Sequence, residues 1–189
     1  LFDGDAVSLS NINRQAVALH STAGMRKTNV MAERMRDINP DISVREFDIF
    51  VDESNIDGID FSRYDIVLDA IDTVTSKVLI IERAYAARVP VISCMGAGNK
   101  LDTAAFRYAD ISRTSVCPLA RAVRTALRKK GITQGVGAVF STEQPKSVLV
   151  DDGCSSRHIP ASNVFAPAAA GLMLARCAVF EIIGEEGAK

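Results

Sequence analysis

Tryptophan is absent from the 189 residues, and Phe and Tyr bring the aromatic share to only 6%. Proteins that grip RNA by stacking bases on aromatic platforms need more than that, so stacking is not the main business here. The four cysteines (Cys94, Cys117, Cys154 and Cys177) form no C-x-x-C pair, which excludes a zinc knuckle or ribbon. Free intracellular thiols are the reading, with Cys94 and Cys177 as small buried hydrophobes. Cys117 and Cys154 stand in loops as candidates for reactivity, against the plainer reading of structural thiols. A formal net charge of −1 provides no global basic field, so nucleic acid must be met by a local patch. No G-x-S-x-G, H-E-x-x-H or Walker A motif occurs, so serine hydrolase, zincin and P-loop readings fall away.

What is present is an ordinary globular mix, 48% apolar and 24% charged, enough for a real core. Residues 24–39 carry Val30, Met31, Met35 and Ile38 at helical spacing, stopped by Asn39-Pro40. Residues 43–50 alternate like a strand, and 52–63 read as loop with one helical turn. Tyr64–Asp72 is a short apolar run bounded by acids, the pattern of a buried parallel strand. Residues 76–88 return to helix, and Val89–Met95 give another buried strand closed by Gly96-Ala97-Gly98. An edge strand over 102–111, a basic helix over 118–130, a strand over 135–142, a loop over 144–161 and a helix over 163–183 complete the reading.

This order predicts an α/β fold: a Rossmann-like, mostly parallel sheet with helices on both faces, plus a C-terminal extension with antiparallel strands and a final helix. The apolar stretch Val164–Ile183 is broken by Pro167, Gly171, Arg176 and Glu181, which favours a buried helix over a membrane span. The chain opens on Leu1, and Leu1-Phe2-Asp3-Gly4-Asp5 reads as the end of a strand. The expectation is therefore one domain with its first βα unit missing. Residues 1–100 form its nucleotide-binding half and 101–189 its substrate and dimer half.

In such sheets, ligands bind beyond the carboxyl ends of the strands. Four constellations follow. Asp3 and Asp5 end the opening strand, where carboxylates suit a ribose diol; the alternative is a solvated pair. Ser10-Asn11-Ile12-Asn13-Arg14-Gln15, with Gly24-x-x-Lys27, is a dense block of neutral and cationic donors suited to phosphate. A polar loop with a surface lysine is its bland counterpart. Asp69-x-x-Asp72 ends a buried strand, and Asp72 is placed either to hold Mg²⁺ on a triphosphate or to cap the next helix. Arg121, Arg124 and Arg128 align at i, i+3 and i+7, extended by Lys129 and Lys130; they make either a solvated face or an RNA-backbone site.

Taken together, Asp3-x-Asp5, Ser10 to Gln15, Gly24-x-x-Lys27, Ile38-Asn39-Pro40 and Asp69-x-x-Asp72 resemble the ATP-binding core of the ubiquitin-activating-enzyme-like MoeB/ThiF/HesA superfamily. Further residues resemble its tRNA threonylcarbamoyladenosine dehydratase branch. These are Gly96-Ala97-Gly98, Asp102 and Asp110 leading to Cys117-Pro118-Leu119-Ala120, Val139-Phe140-Ser141-Thr142-Glu143-x-Pro145, and Pro160-Ala161-Ser162 with Phe165-Ala166-Pro167.

The resemblance implies an ATP-dependent enzyme that attaches AMP to a carboxylate: that of threonylcarbamoyladenosine at position 37 of tRNA, which then cyclises. It implies that Asp3 and Asp5 hold the ribose region, that Asn11, Arg14, Gln15 and Lys27 meet the phosphates, and that Asp72 lies by Mg²⁺. It also implies a cytoplasmic homodimer with tRNA as partner, and no DNA or firm membrane association. The family's glycine-rich G-x-G-x-x-G and an upstream arginine have no counterpart after Leu1. The zinc-binding C-x-x-C pairs of relatives that activate carrier proteins are missing too. Three alternatives stay open. One is an adenylyltransferase for the C-terminus of a sulfur-carrier or ubiquitin-like protein, another a non-catalytic nucleotide-binding module. The third, a nicotinamide dehydrogenase, suits the fold but not the Asn11, Arg14 and Lys27 donors.

Overall fold

The computed structural model describes residues 1–146, 149–151, 156–158 and 161–184; Cys154 and Pro160 lie outside the described residues. The chain divides into two compact units, Leu1–Asp52 and Glu53–Lys189.

In the first unit, helix α1 (Lys27–Ile38) is built from good helix formers, and its Thr28, Val30 and Ala32 turn inward. It ends where Pro40 forbids continuation, Asn39 donating its N–H to Met35 O at 2.9 Å. Val30 packs with Val7, Val17 and Ala18, with Ile12 and Met31 at the rim. Ile38, counted on the apolar face from its spacing, is 74% exposed because it sits on the last turn.

The strands expected at the chain start and over 43–50 shrink to a single parallel bridge, Phe2 with Phe47. Phe47 N–H donates to Leu1 O at 2.9 Å and Asp3 N–H to Phe47 O at 3.2 Å, and the two rings stack at 4.4 Å. The segments are extended, but one bridge is too little pairing to make a ladder.

The second unit holds a four-stranded sheet: β1 (Val67–Asp69), β2 (Val91–Cys94), β3 (Phe106–Asp110) and β4 (Gly137–Ser141), in the order β1-β2-β4-β3. β1, β2 and β4 run parallel, and β3 returns antiparallel on the edge beside β4. Strand alternation gives the sheet two covered faces. Ile92, Phe106 and Val139 meet Ala166, Ala170, Leu174 and Cys177 of the last helix, α4 (Phe165–Ile183). Ser93, on the opposite face, meets Lys77 of α2 (Val74–Ala86), and α3 (Pro118–Lys129) packs on α2. The expected mostly parallel α/β sheet is thus observed.

Two expectations are revised. Tyr64–Asp72 contributes only three strand residues, and Leu68 is 45% exposed; among the described residues β1 lies at the sheet edge, paired with β2. The stretch 144–161, expected as loop, contains an antiparallel hairpin of β5 (Leu149–Asp151) and β6 (Ser156–His158). These strands are too short for alternation to register in the sequence.

α4 is long and apolar enough to cross a membrane by length and composition. One side packs on the sheet through Ala166, Ala170 and Leu174, while Leu172, Val179 and Ile182 on the other side are exposed. The Gly184 left-handed cap, φ 71°, closes it.

Phe106 is 2% exposed and joins the sheet to α4. Phe106→Ala should lower unfolding free energy by about 3–5 kcal/mol, seen as a reduced denaturant midpoint with an unchanged slope.

Candidate functional site

In the first unit, the polar block gathers around a crossing of two chain segments. Ala6 and Arg26 form an antiparallel bridge, with Val7 N–H on Met25 O and Gly24 N–H on Val7 O, each at 2.8 Å. Gly24 has φ +87°, a conformation costly for any other residue, and this turn delivers Lys27 to Asp5. Lys27 Nζ meets Asp5 Oδ2 at 2.6 Å; the lysine side chain is 14% exposed and the aspartate 52%. Asp3 Oδ1 accepts the Asp5 N–H at 2.8 Å, which ties the Asp3 carboxylate to the Asp5 main chain. The lysine is therefore a partly buried, oriented cation, not a free surface side chain.

Asn11 ends a short 3-10 turn, Leu9–Asn11, and is buried. Its Oδ1 accepts Ser8 N–H at 3.2 Å, and its carbonyl takes the N–H groups of Arg14 and Gln15 at 3.0 and 2.9 Å. Arg14 Nη1 is tied to Ser10 O at 2.8 Å and Asn13 Oδ1 at 2.9 Å, which sets the guanidinium against its own loop. Asp3, Asp5 and Lys27 thus form one bonded cluster, and Asn11, Arg14 and Gln15 share a second local turn of the same unit. Together they hold two cations, Arg14 and Lys27, in fixed positions, and fixed positive charge suits an oxyanion.

In the second unit, Asp72 follows β1 on an exposed turn, its carboxylate 3.5 Å from the Thr73 hydroxyl. The helix cap is Thr73, so Asp72 is not the α2 cap allowed for by the sequence. The buried acid of the pair is Asp69, 2% exposed. Its Oδ2 accepts Lys77 Nζ at 2.8 Å and Ser93 Oγ at 2.6 Å, and its Oδ1 accepts Ile71 N–H at 3.2 Å. Lys77, fully buried, also donates to Cys94 O at 2.9 Å. The rule that a strand-end acid needs a cation is met at Asp69, eight residues before Lys77, and not at Asp72. Burial pushes the Cys94 thiol up to about 11, Lys77 opposing, so it is protonated and unreactive near neutrality. Cys117 is 3% exposed and Cys177 wholly buried, as structural thiols are.

On α3, Arg121 and Arg128 face solvent with Lys129. Arg124 turns to Thr114, Nη1 donating to its carbonyl at 2.9 Å and to its hydroxyl. Lys130 pairs with Glu82 at 2.9 Å. The helical face singled out from spacing therefore presents two arginines outward and spends the third on packing.

The ThiF family matches residues 1–185. The chain is 38% identical over 193 residues to the Bacillus subtilis tRNA threonylcarbamoyladenosine dehydratase, an alignment covering 97% of this chain and 76% of that relative. It is 37% identical over 163 residues to the Haemophilus influenzae protein of the same name, of whose length it spans 62%. Among solved structures, the Escherichia coli dehydratase in complex with AMP superposes with a TM-score of 0.85 at 31% identity, covering 97% of this chain and 74% of that one. Its ATP complex gives 0.82 over the same shares.

Asp110 sits where β3 meets the entry to β4. Burial raises its carboxyl pKa, but the Ser112 hydroxyl and the N–H groups of Ser112, Gly135 and Val136 outweigh this and hold it below the usual aspartate value. A group lowered on folding stabilises above its unfolded pKa, about 3.9, and that contribution disappears as pH falls through the folded value. Asp110→Asn should therefore be less stable than wild type at pH 7, with the gap narrowing below about pH 4, as read from denaturant midpoints across pH.

Proposed function

Because the chain belongs to the ThiF family, we propose that it is an ATP-dependent adenylate-forming enzyme that cyclises threonylcarbamoyladenosine in tRNA. The observation that carries this is the likeness, over 97% of the chain, to a dehydratase solved with AMP and with ATP. The donor framework built on Asn11, Arg14 and Lys27 supports it. A nicotinamide dehydrogenase would have no use for that much fixed cation.

The chemistry asks two anions to approach: a carboxylate of tRNA and the triphosphate of ATP. In this reading Asp3 and Asp5 accept the ribose hydroxyls, as a pair held by the Asp5 N–H to Asp3 contact. Asp5 at the same time keeps the Lys27 ammonium aimed. Arg14, anchored through Nη1, and Lys27 stabilise charge as it develops on the α-phosphate, while Asn11 and Gln15 line the loop with neutral polar groups. Asp72 offers an exposed carboxylate, the hard oxygen donor that Mg²⁺ takes, so the residue present fits the ion; a bound Mg²⁺ would neutralise triphosphate charge there. Once AMP is attached, a neighbouring N–H nitrogen of the same modified nucleoside attacks the activated carbonyl at high effective concentration; the acyl–phosphate bond breaks, AMP leaves, and the nitrogen gives up its proton as the ring closes.

Arg121, Arg128 and Lys129 on α3 are the surface proposed for the tRNA backbone. Residues 101–189 are proposed as the substrate and dimer half, with the exposed apolar side of α4 covered by a second copy. A cytoplasmic location accords with this substrate.

ATP–pyrophosphate exchange tests the proposal. Exchange should rise with tRNA carrying the threonylcarbamoyl group, and Arg14→Ala should lower it by about 10²–10³-fold with folding intact. Exchange that responds only to a carrier protein would instead support adenylation of a protein C-terminus, and no AMP release at all would leave a non-catalytic nucleotide-binding module. Arg121→Glu with Arg128→Glu should weaken tRNA binding and flatten its salt dependence by about one unit of slope per arginine. Unchanged affinity would return that helix to a merely solvated face.

A further inference from the structure

We infer that Lys77, which no phosphate can reach, is a positioning residue that sets the two loops at the carboxyl ends of β1 and β2; this rests on the adenylation reading above. A lysine at that end of a parallel sheet is where a phosphate-binding cation would be sought. Yet Lys77 is 0% exposed, and its three ammonium protons are already spent: on Asp69 Oδ2 at 2.8 Å, Ser93 Oγ at 3.2 Å and Cys94 O at 2.9 Å. It has nothing left to offer a ligand. Its role lies in what it holds.

It holds the ends of two strands at one point. Asp69 is the last residue of β1, and its second oxygen accepts Ile71 N–H at 3.2 Å. That bond bends Ala70-Ile71 so that Asp72, next along, emerges exposed. Ser93 lies opposite Asp69 in the strand register. The Cys94 carbonyl starts the run into Gly96-Ala97-Gly98. One buried ammonium therefore fixes the turn that presents Asp72 and the start of the glycine-containing loop together.

Stability alone does not call for this device. A buried ion pair can commonly be exchanged for apolar residues of equal volume with no loss of stability, because desolvation consumes the Coulomb gain. What apolar residues cannot supply is direction: three hydrogen bonds at fixed angles from one atom. The polar network is thus explained by the geometry of the loops it ties.

The test compares wild type with Lys77→Met and with the neutral double variant Asp69→Asn/Lys77→Met, which leaves no lone buried charge and keeps an oxygen for Ile71. Thermal unfolding, amide exchange of Ile71 by NMR, and adenylation kcat with the KM for tRNA are measured on the full chain. The double variant should fold, exchange Ile71 at least tenfold faster, and lose at least tenfold in kcat while the KM for tRNA stays unchanged. A folded double variant with wild-type Ile71 exchange, or with faster exchange and wild-type kcat, would overturn the inference. Should wild type form no AMP, the adenylation reading fails by itself, and Ile71 exchange still decides whether Lys77 sets the turn.

Discussion

A charge sealed inside the second unit, the Asp69–Lys77 pair, is the interaction from which much of its geometry follows. Both side chains are fully shielded from water and stand 2.8 Å apart. Neither can be buried alone: leaving one without its partner costs about 3–5 kcal/mol, comparable to the whole margin by which many domains are folded. The pair is therefore made in full or the region does not form. Making it fixes α2 against the sheet, because Lys77 lies in that helix. It also fixes the pairing of β1 with β2, because Ser93 must face Asp69 to share the carboxylate. The α4 side of the same sheet is largely apolar, with Ile92, Phe106 and Val139 against Ala166, Ala170, Leu174 and Cys177, and it tolerates rearrangement more readily than a polar network does.

The first unit solves a different problem: keeping a cationic, donor-rich loop in one shape with little regular structure. It does so with short turns rather than with strands. A small apolar cluster of Val7, Val17, Ala18 and Val30 anchors both ends of the loop. Between those anchors, main-chain bonds from Asn11 and side-chain bonds from Arg14 and Lys27 hold the polar groups. Preorganisation of this kind matters for phosphate chemistry, since a donor already aimed pays no reorganisation when charge develops.

Much was legible in the sequence. Apolar periodicity located the four α-helices of the described residues, because a helix of a dozen residues repeats its pattern several times. The runs around Val67 and Val91 announced parallel strands for the complementary reason: both faces are covered, so few polar residues interrupt them. The spacing of Asp3, Asp5, Asn11, Arg14 and Lys27 marks the proposed site block, since oxyanion chemistry restricts which residue types serve. The limits of the strands were not legible. Residues 43–50 alternate like a strand yet pair only at Phe47, and 149–151 and 156–158 lack alternation yet pair with each other antiparallel. Pairing depends on a partner elsewhere in the chain, which no local pattern contains.

The sequence by itself determined the fold class, the helices and the chemical character of the site, because these depend on residue type and local period. Only the tertiary structure decided which charges are spent inside the protein and which remain for a ligand. Spacing points to Asp72 of the Asp69-x-x-Asp72 pair as the functional acid and makes Arg121, Arg124 and Arg128 alike. Folding separated them. Asp69 is consumed by Lys77 and Ser93 while Asp72 stays exposed, and Arg124 turns to Thr114 while Arg121 and Arg128 face water. The reason is that the state of a charge is set by solvent access and by partners distant in the chain, and both come into being only when the chain packs.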